Sequence, residues 1–307
     1  MTTCVISYYN MAAYGSIENN GGASFETEAP LSNLLTPRLG QKAIQVGESP
    51  NAEFIVYIKP GSPTYSAFAN VFATLGHNII ESYDASDVII EATFDDGSSV
   101  SSAGDLDAGN FVNASPDGAF QSHIVWAPTN TVFLTKRVVS VRFVIYNASL
   151  TMRTGSIDPY TGQITSAPLS IGGIWIGRKF APRNGILLDG FKQSVVDNSQ
   201  VVRSIGGQVW SEPEIRQRTA EISFGGLYEN EVYDVAPSMS LQQMAAYCGI
   251  SRPLLVIPTI SSEQLAYAQT VYGYMPEPPS WGSFEKAGLD GVQTRVYQGS
   301  FNIVEAR

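Results

Sequence analysis

Val88-Ile89-Ile90-Glu91-Ala92-Thr93-Phe94 runs directly into Asp95-Asp96-Gly97. Val88, Ile90, Ala92 and Phe94 fall on one side of an extended chain. A period of two is the signature of a strand with one face in a core. The tripeptide ends it, because Asp and Gly tolerate the positive φ of a tight turn. The same alternation recurs on either side. Within Glu53 to Lys59 it places Phe54, Val56 and Ile58 together. Within Arg137 to Tyr146 it places Val139, Val141, Phe143 and Ile145 on one face and Ser140 and Arg142 on the other. Repeated half-buried strands predict a mainly-β fold.

Between these strands lie polar stretches, Ser98 to Ala119 and Asn147 to Leu169, rich in Ser, Gly, Asp, Asn and Pro. Their lengths read as inserted or functional loops. From about Ile171 a second region begins with the apolar run Ile174-Trp175-Ile176. Gln200 to Trp210 and Glu214 to Phe224 read as two strands joined at Ser211-Glu212-Pro213. In the second, Arg216, Arg218, Ala220, Ile222 and Phe224 share a face against Gln217, Thr219, Glu221 and Ser223. Two partly polar faces suit a barrel or an assembly surface.

Helices come late. Leu241, Met244, Ala245 and Cys248 recur at helical spacing, with Ser240 as N-cap and Gly249 as stop. Ser262 to Tyr272, closed by Gly273, is a second helix expectation. Leu254 to Ile257, between Pro253 and Pro258, reads as a short buried strand, and Thr294 to Val304 as a closing strand. The best boundary falls near Ile171 to Ala181. The expected organisation is a β-sandwich with an N-terminal arm over 1–180, then a β-barrel-like domain with two short helices over 181–307.

The 307 residues are 44% hydrophobic and only 15% charged. That composition supports a core and hints at surface covered by neighbours. Eighteen basic against 28 acidic residues give a net charge of −10. Basic residues are scattered, so the phosphate neutralisation that nucleic-acid binding needs is missing, and no sequence-specific nucleic-acid partner is expected. Cys4 and Cys248 make no disulfide framework and read as buried thiols. Met1-Thr2-Thr3-Cys4 has neither a basic n-region nor a long apolar h-region, so no signal peptide is expected. No window reaches the length of a membrane span.

A search for chemistry returns little. His77 and His123, the only histidines, lie outside zinc-binding contexts and read as structural. A Ser-His-Asp triad is compatible with the composition, but no nucleophile elbow is present. Neither a phosphate loop nor a dinucleotide fingerprint occurs. Gly172-Gly173-Ile174-Trp175-Ile176-Gly177 has the wrong spacing, so packing explains its glycines. Asp105, Asp107 and Asn110, in the loop Gly104 to Asn110, offer calcium-type oxygens without the spacing of an EF-hand. A solvated loop is the preferred reading. No catalytic, cofactor or metal residue is assigned, and the chain is expected not to be an enzyme.

Two stretches carry a resemblance. Leu31-Ser32-Asn33-Leu34-Leu35-Thr36-Pro37-Arg38-Leu39-Gly40-Gln41-Lys42 and Leu75-Gly76-His77-Asn78 resemble the opening of the discoidin-like β-sandwich, a jelly roll akin to the galectins, of tailed-bacteriophage tail-tip proteins. Ile171 to Arg178 matches its closing segment. Arg203 to Trp210 with Arg216 to Phe224, and Gly249 to Pro258, are similar to elements of distal-tail ring proteins. This chain departs from them in carrying the sandwich first. The resemblance implies a virion structural protein at the tail tip or baseplate, made in the bacterial cytoplasm. It implies a ring of six or three copies that contacts tail tube, hub and fibres. Arg203, Trp210, Arg216 and Arg218 are the expected interface residues. Host-surface glycan binding by the first domain, or a tail-to-fibre adaptor, is the alternative.

Overall fold

The computed structural model describes residues 4–21, 23–46, 51–59, 68–82, 88–103, 123–146, 150–152, 168–187, 190–197, 200–203, 209–212, 216–233, 239–258, 269–287 and 293–306. Strands dominate it, as the alternation requires.

A five-stranded antiparallel sheet is built from Ser16–Asn19, Asn51–Tyr57, Val138–Tyr146, Val88–Phe94 and Ser99–Ser101, in that spatial order. Val88–Phe94 alternates strictly between buried and half-buried residues. Phe54 and Phe143 are cross-strand partners whose rings stack at 5.3 Å. On the opposite face Arg142 bridges Glu53 at 2.8 Å and Glu91 at 3.2 Å. Hydrogen bonding from Arg142 holds the Glu53 carboxyl below the usual carboxylate range.

The alternation errs at one place. Val139 is 39% exposed, while Val138 is buried. The register shifts between Val138 and Ser140. A bulge adds one residue and moves Val139 to the solvent side.

A three-stranded sheet, Gly173–Gly177, Val71–Leu75 and His123–Trp126, faces the first sheet. Phe72, Ile124, Trp126, Ile174 and Ile176 meet Phe54, Val56, Ile90, Phe94 and Phe143 in one apolar core. This is a β-sandwich. A single helical turn, Val132–Thr135, inserts Phe133 against Phe72, Phe94 and Trp126. The glycines act by close approach. A Cβ on Gly172 would sit 2.8 Å from the Leu39 carbonyl oxygen.

The second region is a seven-stranded antiparallel sheet, and among the described residues it does not close. Its path runs Val5–Ser7, Leu254–Ile257, Val271–Tyr274, Gln293–Glu305, Arg216–Leu227 and Phe191–Asp197, with Ser280–Ala287 also on Gln293–Glu305. The barrel expectation is therefore corrected to an open sheet. One face packs on the helix Leu241–Cys248 through Leu241, Met244 and Cys248. Ser240 caps that helix, accepting the Gln243 N–H at 3.2 Å, and Gly249 ends it with φ 48°.

The division at residue 180 is also crossed. Val5–Ser7, from the N-terminal arm, pairs with Leu254–Ile257 and is thereby part of the second sheet. Ile6 joins the second core, while Val5 joins a third apolar cluster. That cluster unites Val71, Ala73, Leu75 and Trp175 of the three-stranded sheet with Leu255, Ile257 and Tyr272 of the seven-stranded one. The three-stranded sheet is thus buried on both faces, which is why Gly173–Gly177 reads as a continuous apolar run. Two side-chain bonds stitch the junction: Trp175 Nε1 donates to Ser7 Oγ at 2.8 Å, and Tyr272 Oη donates to the Pro37 carbonyl at 2.9 Å.

Two further expectations shift. Ser211 and Glu212 do not form the expected join, since both belong to the strand Val209–Glu212, where Ser211 pairs with Val201 and Glu212 with Gln200. The helix expected over Ser262 to Tyr272 lies largely outside the described residues, and its last two residues belong to the strand Val271–Tyr274. Both cysteines are free and buried, and burial raises both thiols, Cys248 up to about 12.

Candidate functional site

The four residues expected at an interface fall on one hairpin. Phe191–Asp197 and Gln200–Arg203 run out, and Val209–Glu212 and Arg216–Leu227 return. Trp210 is opposite Val202, Arg203 opposite Val209, Arg216 opposite Asp197 and Arg218 opposite Val195. Arg203 and Trp210 thus lie on a two-stranded sheet, and Arg216 and Arg218 on the seven-stranded one.

Arg218 is a correction. It is 3% exposed. Its Nε and Nη2 donate to Glu305 Oε1 at 3.0 and 2.6 Å, and its backbone N–H donates to Glu305 Oε2 at 3.1 Å. The cation is held inside the chain rather than offered to a neighbour. It is paired with Glu305, in the closing strand. Alternation along one strand could not reveal a partner 87 positions away.

The hairpin's outer strand, Phe191–Asp197, ends the sheet. No described strand pairs on its outer side, and every residue from Lys192 to Asp197 is exposed. Val195 and Val196 are 50% and 42% exposed. Ser280–Ala287 is a second edge of the same sheet, paired only with Gln293–Glu305 among the described residues.

Between Ser280–Ala287 and Leu187 lies an open groove of about 670 Å³. Ser223, Ser300 and Ser280 form a cross-strand row along it. Leu187 forms one wall. Its N–H donates to the Ser223 carbonyl at 3.1 Å, and the Ser223 N–H donates to the Gly190 carbonyl at 2.7 Å. Trp281, opposite Gly299 and so on the other face of the sheet from the serine row, packs half-buried against the second core.

Both histidines lie in the interior of the fold. His77 and His123 are buried, and each Nδ1 accepts a backbone N–H, from Ile79 at 3.2 Å and Gly76 at 3.3 Å. Burial, aided by the Lys42 charge, pushes His77 down to about 3. Burial, aided by the charge of Arg218, puts His123 well below its ordinary range. Both rings stay neutral in the folded chain, whereas the unfolded chain protonates near pH 6.5. The stability each contributes is complete above about pH 6.5 and falls below it by about 1.4 kcal/mol per pH unit, for His77 down to about pH 3. Urea unfolding across this window should show that slope, and the double variant His77→Asn, His123→Gln should flatten it. Among the described residues no three side chains are grouped to hold a metal ion. The loop Gly104 to Asn110 lies outside the described residues.

No protein-family model matches the chain, and no curated protein matches it. Among solved structures, the Clostridium perfringens module CpGH89CBM32-4, selenomethionine-labelled, is similar at 12% identity and a TM-score of 0.35. The match covers 55% of this chain and 99% of that one. The same module in complex with GlcNAc-α-1,4-galactose is similar at 10% identity and a TM-score of 0.35, over 55% of this chain and 93% of that one. The likeness is loose and goes no further than a β-sandwich.

Proposed function

We propose that this chain is an architectural, non-catalytic component of a tailed-phage particle, a tail-tip or baseplate ring subunit that adds to copies of itself through the edges of its seven-stranded sheet. The observation behind it is the outer strand Phe191–Asp197, which no described strand pairs on its outer side and which exposes Val195 and Val196 on its two faces. Edge strands present a row of backbone donors and acceptors that template another strand. The sheet has a second, chemically different edge in Ser280–Ala287. Two unlike edges on one subunit are what a heterologous, ring-closing contact requires. The placement in a phage tail rests on the sequence resemblance of Leu31 to Lys42 and Gly249 to Pro258.

Light scattering on the purified full chain tests the reading. The wild type should form a closed oligomer of three or six copies. Val195→Lys with Val196→Lys should reduce it to monomer with an unchanged melting curve, since both side chains are exposed. A wild-type chain monomeric up to about 1 mM, or an oligomer indifferent to the two lysines, would overturn it. Its absence from purified tailed particles by mass spectrometry would remove the placement in a tail.

A further inference from the structure

Three tyrosines and an arginine gather where the N-terminal arm meets the end of the helix Leu241–Cys248. We propose that this cluster binds an acidic sugar residue of a glycan, a uronate or a sialate, through Arg252 and the ring of Tyr14. Tyr9 and Tyr14 come from the segment between the strands Val5–Ser7 and Ser16–Asn19. Tyr247 lies in the last turn of the helix, and Arg252 precedes the strand Leu254–Ile257. The rings of Tyr9 and Tyr14 stack at 5.8 Å, and that of Tyr9 meets Tyr247 at 4.7 Å. The Tyr14 and Tyr247 hydroxyls are 3.2 Å apart. The Arg252 guanidinium stands 4.3 Å from the centre of the Tyr247 ring. Guanidinium and both hydroxyls are therefore close enough to meet one sugar residue together. The cluster is open to solvent: Tyr14 is 44% exposed, Arg252 is exposed and Tyr247 is half-buried.

The chemistry selects the ligand. Among the described residues Arg252 makes no ion pair and its guanidinium donates no hydrogen bond, although the chain holds 28 acidic against 18 basic residues. Stacking on Tyr247 occupies the face of the guanidinium and leaves its N–H edge for an acceptor. That planar fork matches a carboxylate bidentately. One guanidinium balances the single charge of a carboxylate. A phosphate monoester carries closer to two charges, and the surplus would face a chain of net charge −10. A simple aliphatic acid would leave the Tyr14 ring uncovered. A carboxylated pyranose meets every group at once. Its carboxylate pairs with Arg252, its hydroxyls exchange hydrogen bonds with the two phenols, which both donate and accept, and its C–H face covers Tyr14. None of the four residues belongs to Phe191–Asp197 or Ser280–Ala287, so the site stands apart from sheet-edge assembly.

Calorimetric titration of the full chain with tetragalacturonate and with sialyllactose tests the site. At least one should bind saturably with a Kd of about 1 mM or below. The neutral counterparts maltotetraose and lactose should bind about tenfold more weakly or not at all. Arg252→Gln should erase that preference with an unchanged melting curve. Arg252→Lys should recover only part of it, because an ammonium keeps the charge without the fork. Tyr14→Ala should weaken binding of the acidic sugar about tenfold, and Tyr14→Phe, which keeps the ring, should lose less. If Tyr14→Ala fails to fold, Arg252→Gln decides alone. No binding of either acidic sugar up to about 10 mM overturns the proposal. So does equal binding of acidic and neutral sugars, or binding that survives Arg252→Gln. Tetraglutamate bound as tightly as the sugars would assign the cluster to protein recognition and overturn it as well.

Discussion

Arg218→Met lowers the stability of the folded chain by about 3–5 kcal/mol, the usual cost of stranding one partner of a buried ion pair. Glu305 is 1% exposed and Arg218 3%. Without the guanidinium, the Glu305 carboxylate keeps one backbone N–H from Arg218, at 3.1 Å, among the bonds that hold it now. The remaining charge must be neutralised or hydrated at the expense of packing. The double variant Arg218→Met, Glu305→Leu should recover most of the loss, because exchanging a whole buried pair for apolar side chains of similar volume is close to neutral. Urea denaturation of the two variants, at matched m-values, measures both. Equal destabilisation of the single and double variants would contradict the assignment of the loss to a stranded charge. Arg216→Glu and Arg203→Glu, on the same hairpin, serve as comparisons.

Ile6→Asp removes more, enough to prevent folding of the second region. Ile6 is fully buried in the second core. Deleting an isoleucine side chain from such a site costs about 2–5 kcal/mol before the unpaired carboxylate is counted. The total consumes most of the 5–15 kcal/mol typical of a whole domain. Val5, one residue earlier, faces the junction instead. Val5→Asp should therefore loosen the contact between the two modules and split a single thermal transition into two. Ile6→Val, costing about 0.5–1.5 kcal/mol, should keep one transition. Calorimetry distinguishes the three outcomes, and a single unshifted transition in Val5→Asp would show that the junction contributes little.

The extent to which the fold was legible follows from the range of the interactions involved. Val88–Phe94, Asn51–Tyr57 and the helix Leu241–Cys248 are readable because their period, caps and turns are local. Val139 is misplaced because a bulge changes the phase without changing the composition. The barrel reading of Arg216–Leu227 fails for a different reason. A strand with polar residues on both faces is equally at home in an open sheet whose second face is covered along only part of its width. Here the Val5, Leu255 and Tyr272 end is covered by the sandwich, while the Ser223, Ser300 and Ser280 end is not. Arg218 shows the same limit for a site. Its position on the strand was visible, but its burial depends on Glu305, brought alongside by the pairing of Thr219 with Val304. The serine row was invisible for the same reason, since its members come from three separate strands.

The pairing of Ile6 with Val256 also sets the order of events during synthesis. The strand Val5–Ser7 leaves the ribosome about 250 residues before the partner it pairs with. It then waits, with Val5 and Ile6 uncovered, until Leu254–Ile257 emerges. The sandwich core can condense during translation, but the larger sheet is sealed only afterwards, by a contact between distant ends. Such long-range closure slows folding and leaves an adhesive segment open to chaperones or to other nascent chains. Refolding should accordingly proceed in two phases, and the late one should be the phase that protects the amides of Val5–Ser7 from exchange.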